Sequence, residues 1–294
     1  MVRCGRPPRA STNLPLDRLI IRPGGLGDCI LSLPAIDYLR TDHTEVWVPS
    51  AIVPLMNASL ILMNAPVIRC AEARAIASTG IDLLGLAGVE PPASLIAKLR
   101  SFDSIISWYG TNRTEFREQV TKLDLPFQFL DALPEPGAKI HAADFFLKQA
   151  GGEGFAVPRI DCPGVVREDF AVIHPFSGSA RKNWPLGQFR EVAARLAMPV
   201  RWCAGPEEAI EDAIRFENLY ELACWLATAR VYIGNDSGIT HLAAAVGTPV
   251  VAIFGPTDPA VWAPRGDRVS VVSGRSLDEI TVDQVVEAGR RLVG

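Results

Sequence analysis

The sequence has no apolar run long enough to cross a membrane as a helix, and its first residues carry no apolar core of a signal peptide. It also lacks an excess of positive charge. Its 29 Lys and Arg stand against 33 Asp and Glu, a formal net charge of −4, which argues against a nucleic-acid partner held by a basic surface. The six cysteines, at positions 4, 29, 70, 162, 203 and 224, form no CxxC pair, and several lie in apolar runs. They read as reduced thiols of a cytosolic protein, not as disulfides or a zinc site. No Walker lysine follows the first glycine-rich loop, and Ile30 stands where a dinucleotide fingerprint needs its third glycine. The next strand ends in Pro49-Ser50, without an acidic residue to bind a ribose. An NAD-dependent oxidoreductase is therefore disfavoured. Solenoid repeats and low-complexity tracts are absent as well.

What is present is a globular chain of 294 residues, 48% hydrophobic and 21% charged, long enough for two domains with sizeable cores. Its most informative stretch runs from Val231 to Pro259. Val231-Tyr232-Ile233 predicts a strand. Gly234 to Gly238 is turn and cap chemistry, Ile239 to Val246 an alanine-rich helix, and Pro249 to Phe254 a second strand. Two apolar strands joined through a helix make a βαβ unit with parallel strands. Ligands of such sheets bind beyond the carboxyl ends of the strands. Asp236, Ser237 and Gly238 fall there, at a helix start that favours an anion such as a phosphate, and His241 faces the same side one turn on. The bland alternative is a pair of capping residues with a packed histidine.

Taken in order, residues 1–13 are expected to form a disordered tail with Arg3, Arg6 and Arg9 among prolines. Arg18 to Arg22 predicts a strand and Gly24, Gly25 and Gly27 a tight loop, with Asp28 opening a helix that Pro34 either kinks or gives an irregular first turn. Strands are expected at Glu45–Val48, Val67–Cys70 and Ser104–Trp108. Helices are expected at Ala51–Met56, Pro92–Arg100, from an Asn112/Glu115 capping box to Leu123, and at His141–Ala150. Gly151 to Gly164 reads as a linker. The alternation then restarts with strands at Phe170–His174 and Val200–Cys203. Helices follow at Leu186–Leu196, after Glu207 and at Leu219–Ala229, and Thr281 with Gln284 caps a last one to Leu292. The expected domains are residues 14–150 and 165–294.

Three further clusters follow strands. Asp28 stands at the mouth of the glycine loop, where an Asp is ordinarily a helix cap but where a general base competes. Ser177, Ser179, Arg181 and Lys182 combine hydroxyls with two cations, suited to phosphate or simply a basic loop. Glu207 and Glu208 offer carboxylates to a ribose or base, or complement a helix dipole.

These residues carry a family resemblance. RPGGLGD (22–28) with LSLPAI (31–36), FDSIISWYG (102–110), SARKNWP (179–185), GPEE (205–208) and NDSGITHLAAAVGTPVVAIFGPTDP (235–259) occur in order. Together they resemble glycosyltransferase family nine, the ADP-heptose:lipopolysaccharide heptosyltransferases, from about Leu16 to about Trp262. The resemblance implies an α/β GT-B fold, two Rossmann-like domains with parallel sheets facing across a cleft. The first would bind the acceptor and the second the nucleotide-sugar. It places Asp28 on the catalytic carboxylate and Lys182 on a cation contacting the donor phosphates. Glu208, with Glu207 beside it, falls near the nucleoside. Asp236, Ser237, Gly238 and His241 fall on the motif holding the diphosphate and sugar. Ser177 and Gly178 occupy positions where relatives carry hydroxyl residues.

The expected function is inverting glycosyl transfer, heptose from ADP-heptose to a saccharide or lipopolysaccharide-type acceptor. Contact with the cytoplasmic face of the inner membrane would be at most peripheral. The sequence has no Asp-x-Asp pair to hold a divalent ion. Lys182, Arg181 and helix-start amides could meet the leaving-group charge instead, so no metal or other cofactor is expected. Between Thr41 and Gly110 only Arg69, Arg74, Lys98 and Arg100 are basic, which points to an acceptor less anionic than a phosphorylated core. A noncatalytic nucleotide- or glycan-binding module of the same fold is the alternative from another class.

Overall fold

The computed structural model describes residues 16–62 and 72–294, with side chains of 59–62 left aside. Among the described residues ten strands form two separate five-stranded sheets, every pairing parallel. The first contains β1 (Asp17–Ile21), β2 (His43–Val48), β3 (Glu72–Ala75), β4 (Ser104–Ser107) and β5 (Phe127–Phe129), in the order β3-β2-β1-β4-β5. The second contains β6 (Ala171–His174), β7 (Val200–Trp202), β8 (Val231–Asn235), β9 (Val250–Phe254) and β10 (Val269–Ser273), in the order β10-β9-β8-β6-β7. Both are doubly wound orders. Strand direction of winding reverses at β1/β4 in one sheet and at β6/β8 in the other, and crevices open at such switch points.

The helices are α1 (Leu26–Leu31), α2 (Leu33–Leu39), α3 (Val53–Leu62), α4 (Ala93–Ser101), α5 (Thr114–Lys122), α6 (Ala142–Gln149), α7 (Leu186–Arg195), α8 (Leu219–Thr228), α9 (Gly238–Ala245), α10 (Pro259–Trp262) and α11 (Val282–Val293). Helices on both faces explain why the central strands are nearly continuous apolar runs. In the second sheet, Ala171, Ile173, Val231, Ile233, Val251 and Ile253 pack on one face with Phe189 and Val286. Val172, Tyr232, Val250, Ala252 and Phe254 face the other way, into a core shared with Ile20, Ile30, Ile36 and Phe146 of the first half. α1 packs against α9 and α3 against α8, so the two halves meet along two helix pairs.

Polar contacts reinforce that joint. His141 caps α6 by accepting the Ala143 N–H on Nδ1, and its Nε2 lies 2.8 Å from the Ala263 carbonyl. Arg265 holds Asp144 of α6 through two nitrogens, at 2.5 and 2.7 Å. Burial is the main cause of the lowered His141 pKa, which keeps the ring neutral and so able to serve as acceptor and donor at once.

Several expectations are corrected. The expected 67–70 strand and residues 1–13 lie outside the described residues. Asn112 does not cap α5; Arg113 occupies the N-cap position and no side chain bonds the helix start. No helix follows Glu207. Arg215 instead turns its guanidinium onto the carbonyls of Gly205, Glu208, Ile210 and Ala213, drawing those acceptors away from any helical ladder. Asp212 adopts a positive φ of 56°, which a helix does not accommodate. Ala51–Met56 belongs to a short 3₁₀ turn followed by the longer α3. The helix after β1 opens at Leu26, two residues before Asp28, and stops before Ser32, with Pro34 in the first turn of α2. The expected Thr281/Gln284 capping box on α11 is present.

Candidate active site

The turn after β1 is dictated by its glycines. Gly24 has a φ of 111°, and a Cβ there would lie 2.8 Å from Asp28 Oδ2. The chain can therefore fold back so that Asp28 Oδ2 accepts the Gly25 N–H at 2.9 Å. Asp28 thus closes its own helix start with one oxygen while lining the cleft between the halves. Beneath it Arg22, only 1% exposed, donates to the Asp28 carbonyl at 3.1 Å, to Ser32 Oγ at 3.1 Å and to the Ala132 carbonyl at 3.4 Å. Its guanidinium lies over the Phe146 ring, 4.5 Å from the centroid. Burial pushes the Arg22 pKa down, yet at an arginine's starting value the group stays charged.

On the opposite wall β8 ends in Asn235, followed by Asp236 and the N-cap of α9, Ser237. Ser237 Oγ accepts the Thr240 N–H, and the Thr240 hydroxyl donates back to the Asn235 carbonyl. The first turn of α9 presses on the first turn of α1. A Cβ on Gly238 would lie 2.8 Å from Leu26 Cβ and 3.0 Å from Gly27 N, and one on Gly27 would lie 3.2 Å from His241 Cδ2. The two helix starts meet this closely because both contact positions are glycine.

Lys182 reaches the same place from the turn after β6, and its Nζ lies 3.1 Å from Asp236 Oδ2. Ser177 Oγ lies 2.7 Å from Asn183 Oδ1 and 2.8 Å from the Ser179 carbonyl, so its single proton is committed within the loop. Asn235 ties this loop to α9: its Oδ1 accepts the Trp184 N–H at 3.0 Å, and its Nδ2 donates to the Pro175 carbonyl at 2.7 Å. Trp184 in turn is buried and donates to the Ile280 carbonyl. His241 is 6% exposed, and burial pushes its pKa down to about 4 against the opposing pull of Asp236. Its ring is neutral at pH 7.

Glu208 stands further along the cleft. Burial alone would raise its pKa, but hydrogen bonds from His174 and the Gly205 N–H outweigh that and set it below the usual carboxylate value. A cavity of about 620 Å³ joins these groups, within the range of small-molecule sites. It brings together Gly25, Gly27, Asp28, Ser177, Lys182, Glu208, Asp236, Ser237, Gly238 and His241. Gly24, Ser179, Arg181 and Glu207 are not among its lining residues, and Arg181 and Glu207 are exposed. The sequence reading missed Arg22 and Asn235, although each stands inside a motif it had singled out, and His174, which it placed at the end of an expected strand.

The comparisons decide the family. The profile of glycosyltransferase family 9 (heptosyltransferase) matches residues 138–286, half of the chain. The chain belongs to glycosyltransferase family 9. A lipooligosaccharide heptosyltransferase 2 of Haemophilus influenzae is 36% identical over 70 residues, 23% of this family member and 20% of that relative, so the match spans a fifth of the relative's length. Among solved structures, the E. coli ADP-heptose lps heptosyltransferase II superposes with a TM-score of 0.67 at 18% identity, covering 95% of this chain and 98% of that one. The iron-containing dodecameric glycosyltransferase TibC from enterotoxigenic E. coli superposes with a TM-score of 0.61 at 17% identity, covering 95% and 77%. The fold is GT-B: two parallel α/β sheets with the cavity between them.

Arg22 offers a test of this architecture. Arg22→Met keeps roughly the side-chain volume but removes the buried donor that the Ser32 hydroxyl and the Asp28 and Ala132 carbonyls share. The expected loss is roughly 1–3 kcal/mol of unfolding free energy, read from urea denaturation. An unchanged midpoint would show that the guanidinium does not hold the Asp28 turn together.

Proposed function

We propose that this protein is an inverting glycosyltransferase that moves a sugar, heptose from ADP-heptose, to a hydroxyl of a saccharide or lipopolysaccharide-type acceptor. The observation that carries the reading is the cleft itself. A carboxylate from one sheet, Asp28, faces a cation and a helix start, Lys182 and Ser237-Gly238, from the other. The acceptor side is the half built on residues 14–150, the donor side that built on 165–294.

In the proposed reaction the acceptor oxygen attacks the anomeric carbon from the side of Asp28. The bond from that carbon to the diphosphate oxygen breaks, and its electron pair stays with the leaving nucleoside diphosphate. Asp28 takes the hydroxyl proton. One displacement inverts the anomeric centre. Lys182 and the free N–H groups of α9 meet the charge that grows on the diphosphate, where fixed dipoles act at short range. Asp236 holds Lys182 at the cleft before donor arrives. Neutral His241, at the contact of α1 and α9, stands between the two reacting partners. Glu208 takes the nucleoside end. The absence of an Asp-x-Asp pair supports a mechanism in which Lys182 and the amides replace a divalent ion.

Between Thr41 and Gly110 the described Arg and Lys side chains are engaged, which supports an acceptor of low charge. Arg74 and Lys98 both pair with Glu45, at 3.0 and 2.7 Å, and Arg100 points to the Leu123 carbonyl. Among the described residues no helix is long and apolar enough to span a membrane. The proposed location is cytoplasmic, with at most peripheral contact with the inner membrane.

Two measurements test this reading. Lys182→Ala should weaken ADP binding by about tenfold or more, the worth of a charge-assisted contact, and leave adenosine binding unchanged. Equal losses for the two in calorimetry would remove the phosphate role. Separately, donor binding and turnover should persist in EDTA. Activity abolished by EDTA and restored by magnesium, manganese or iron would overturn the metal-free mechanism.

A further inference from the structure

His174 is 4% exposed at the end of β6, where its backbone pairs with Gly234 of β8, yet it lines the same cavity as Glu208. Its Nε2 lies 3.2 Å from Glu208 Oε2, and the Gly205 N–H meets that same oxygen at 2.6 Å. Both bonds converge on Oε2 and neither engages Oε1. The other ring nitrogen, Nδ1, is buried and has no hydrogen-bond partner among the described residues. A ring serving only as filler gains nothing from carrying a nitrogen there. The arrangement is explained if the ring is kept for its other edge. Donation from Nε2 places the hydrogen there and leaves Nδ1 a bare acceptor, a smaller burial cost than an unpaired N–H.

We propose that His174 is a positioning residue whose Nε2–H and the Gly205 amide fix Glu208, so that Oε1 accepts from the vicinal ribose hydroxyls of the donor nucleotide. The inference rests on the reading of this cavity as a nucleotide-sugar site and adds the element that makes it selective for a ribonucleotide. Phe216, Leu219 and Pro206 line the same cavity and supply apolar surface for the base. With His174 removed, the Glu208 carboxylate keeps only the Gly205 amide among the described residues and is free to rotate away from the sugar.

Calorimetry with ADP and 2′,3′-dideoxy-ADP reads this directly, without an acceptor. The parent protein should bind ADP roughly tenfold tighter than the dideoxy compound, the fold-change of a hydrogen bond to a charged group. His174→Ala should lose most of that preference by weakening ADP while leaving dideoxy-ADP unchanged. His174→Gln, whose amide presents an N–H at similar reach, should keep most of it. Should His174→Ala fail to fold, His174→Asn takes its place, since its shorter amide does not reach Glu208 and the preference should again fall. Variants that weaken both ligands equally, or that keep the full preference, overturn the inference. A parent that binds both nucleotides equally overturns it alone. A parent that does not bind ADP at all overturns the site reading beneath it as well.

Discussion

The site depends on the approach of two helix starts across the cleft, made possible by glycine at both contact positions. α1 presents Gly27 and α9 presents Gly238, and a methyl group at Gly238 would already sit within 3.0 Å of the opposite backbone nitrogen. A protein interior has no slack to absorb such an overlap, so larger side chains would force the helices apart. This one contact fixes how far Asp28 stands from the N–H groups at Ser237. Every chemical reading of the cleft follows from that spacing.

The contact is rigid because buried polar groups brace both sides. Arg22 holds the underside of the α1 turn, and Asn235 stitches the Lys182 loop to the start of α9. His141 and the Asp144–Arg265 pair clamp the halves together below. Buried polar groups of this kind cost stability unless every partner is in place. Arg22 and Asn235 stand at the switch points of the two sheets, where the fold already opens a crevice. The scaffold and the chemistry are therefore set by the same few loops.

Much of this was readable from the chain. Strands buried on both faces announce themselves as apolar runs, and β6, β8 and β9 did so. The turns after β1, β6 and β8 draw on Gly, Ser and Asp, the residues that turn and cap, so the placement of Asp28, Lys182 and Asp236 beyond strand ends followed. What escaped depends on distant partners. His174 and Glu208 are 34 residues apart, and Asn235 and Pro175 are 60. Neither pairing leaves a local pattern. The segment after Glu207 reads as helix by composition, but Arg215 captures its carbonyls, a tertiary contact that overrides propensity. β5 and β10 are edge strands whose short or mixed sequences, Phe127–Phe129 and Val269–Ser273, lack the apolar signature of the centre.

In the proposed reaction Asp28 removes a proton as well as closing its own helix start. Both roles use the same carboxylate, and Asp28→Asn separates them, because an amide oxygen can still accept the Gly25 N–H. The decisive measurement is single-turnover donor consumption, by transfer or by slow hydrolysis with water as acceptor, beside ADP affinity and a melting curve. The account expects the variant to fold and bind ADP like the parent while its rate falls by roughly 10²–10⁴-fold, the usual contribution of a general base. A folded variant that consumes donor at the parent rate would contradict it and leave Asp28 as a helix cap in a nucleotide-binding cleft.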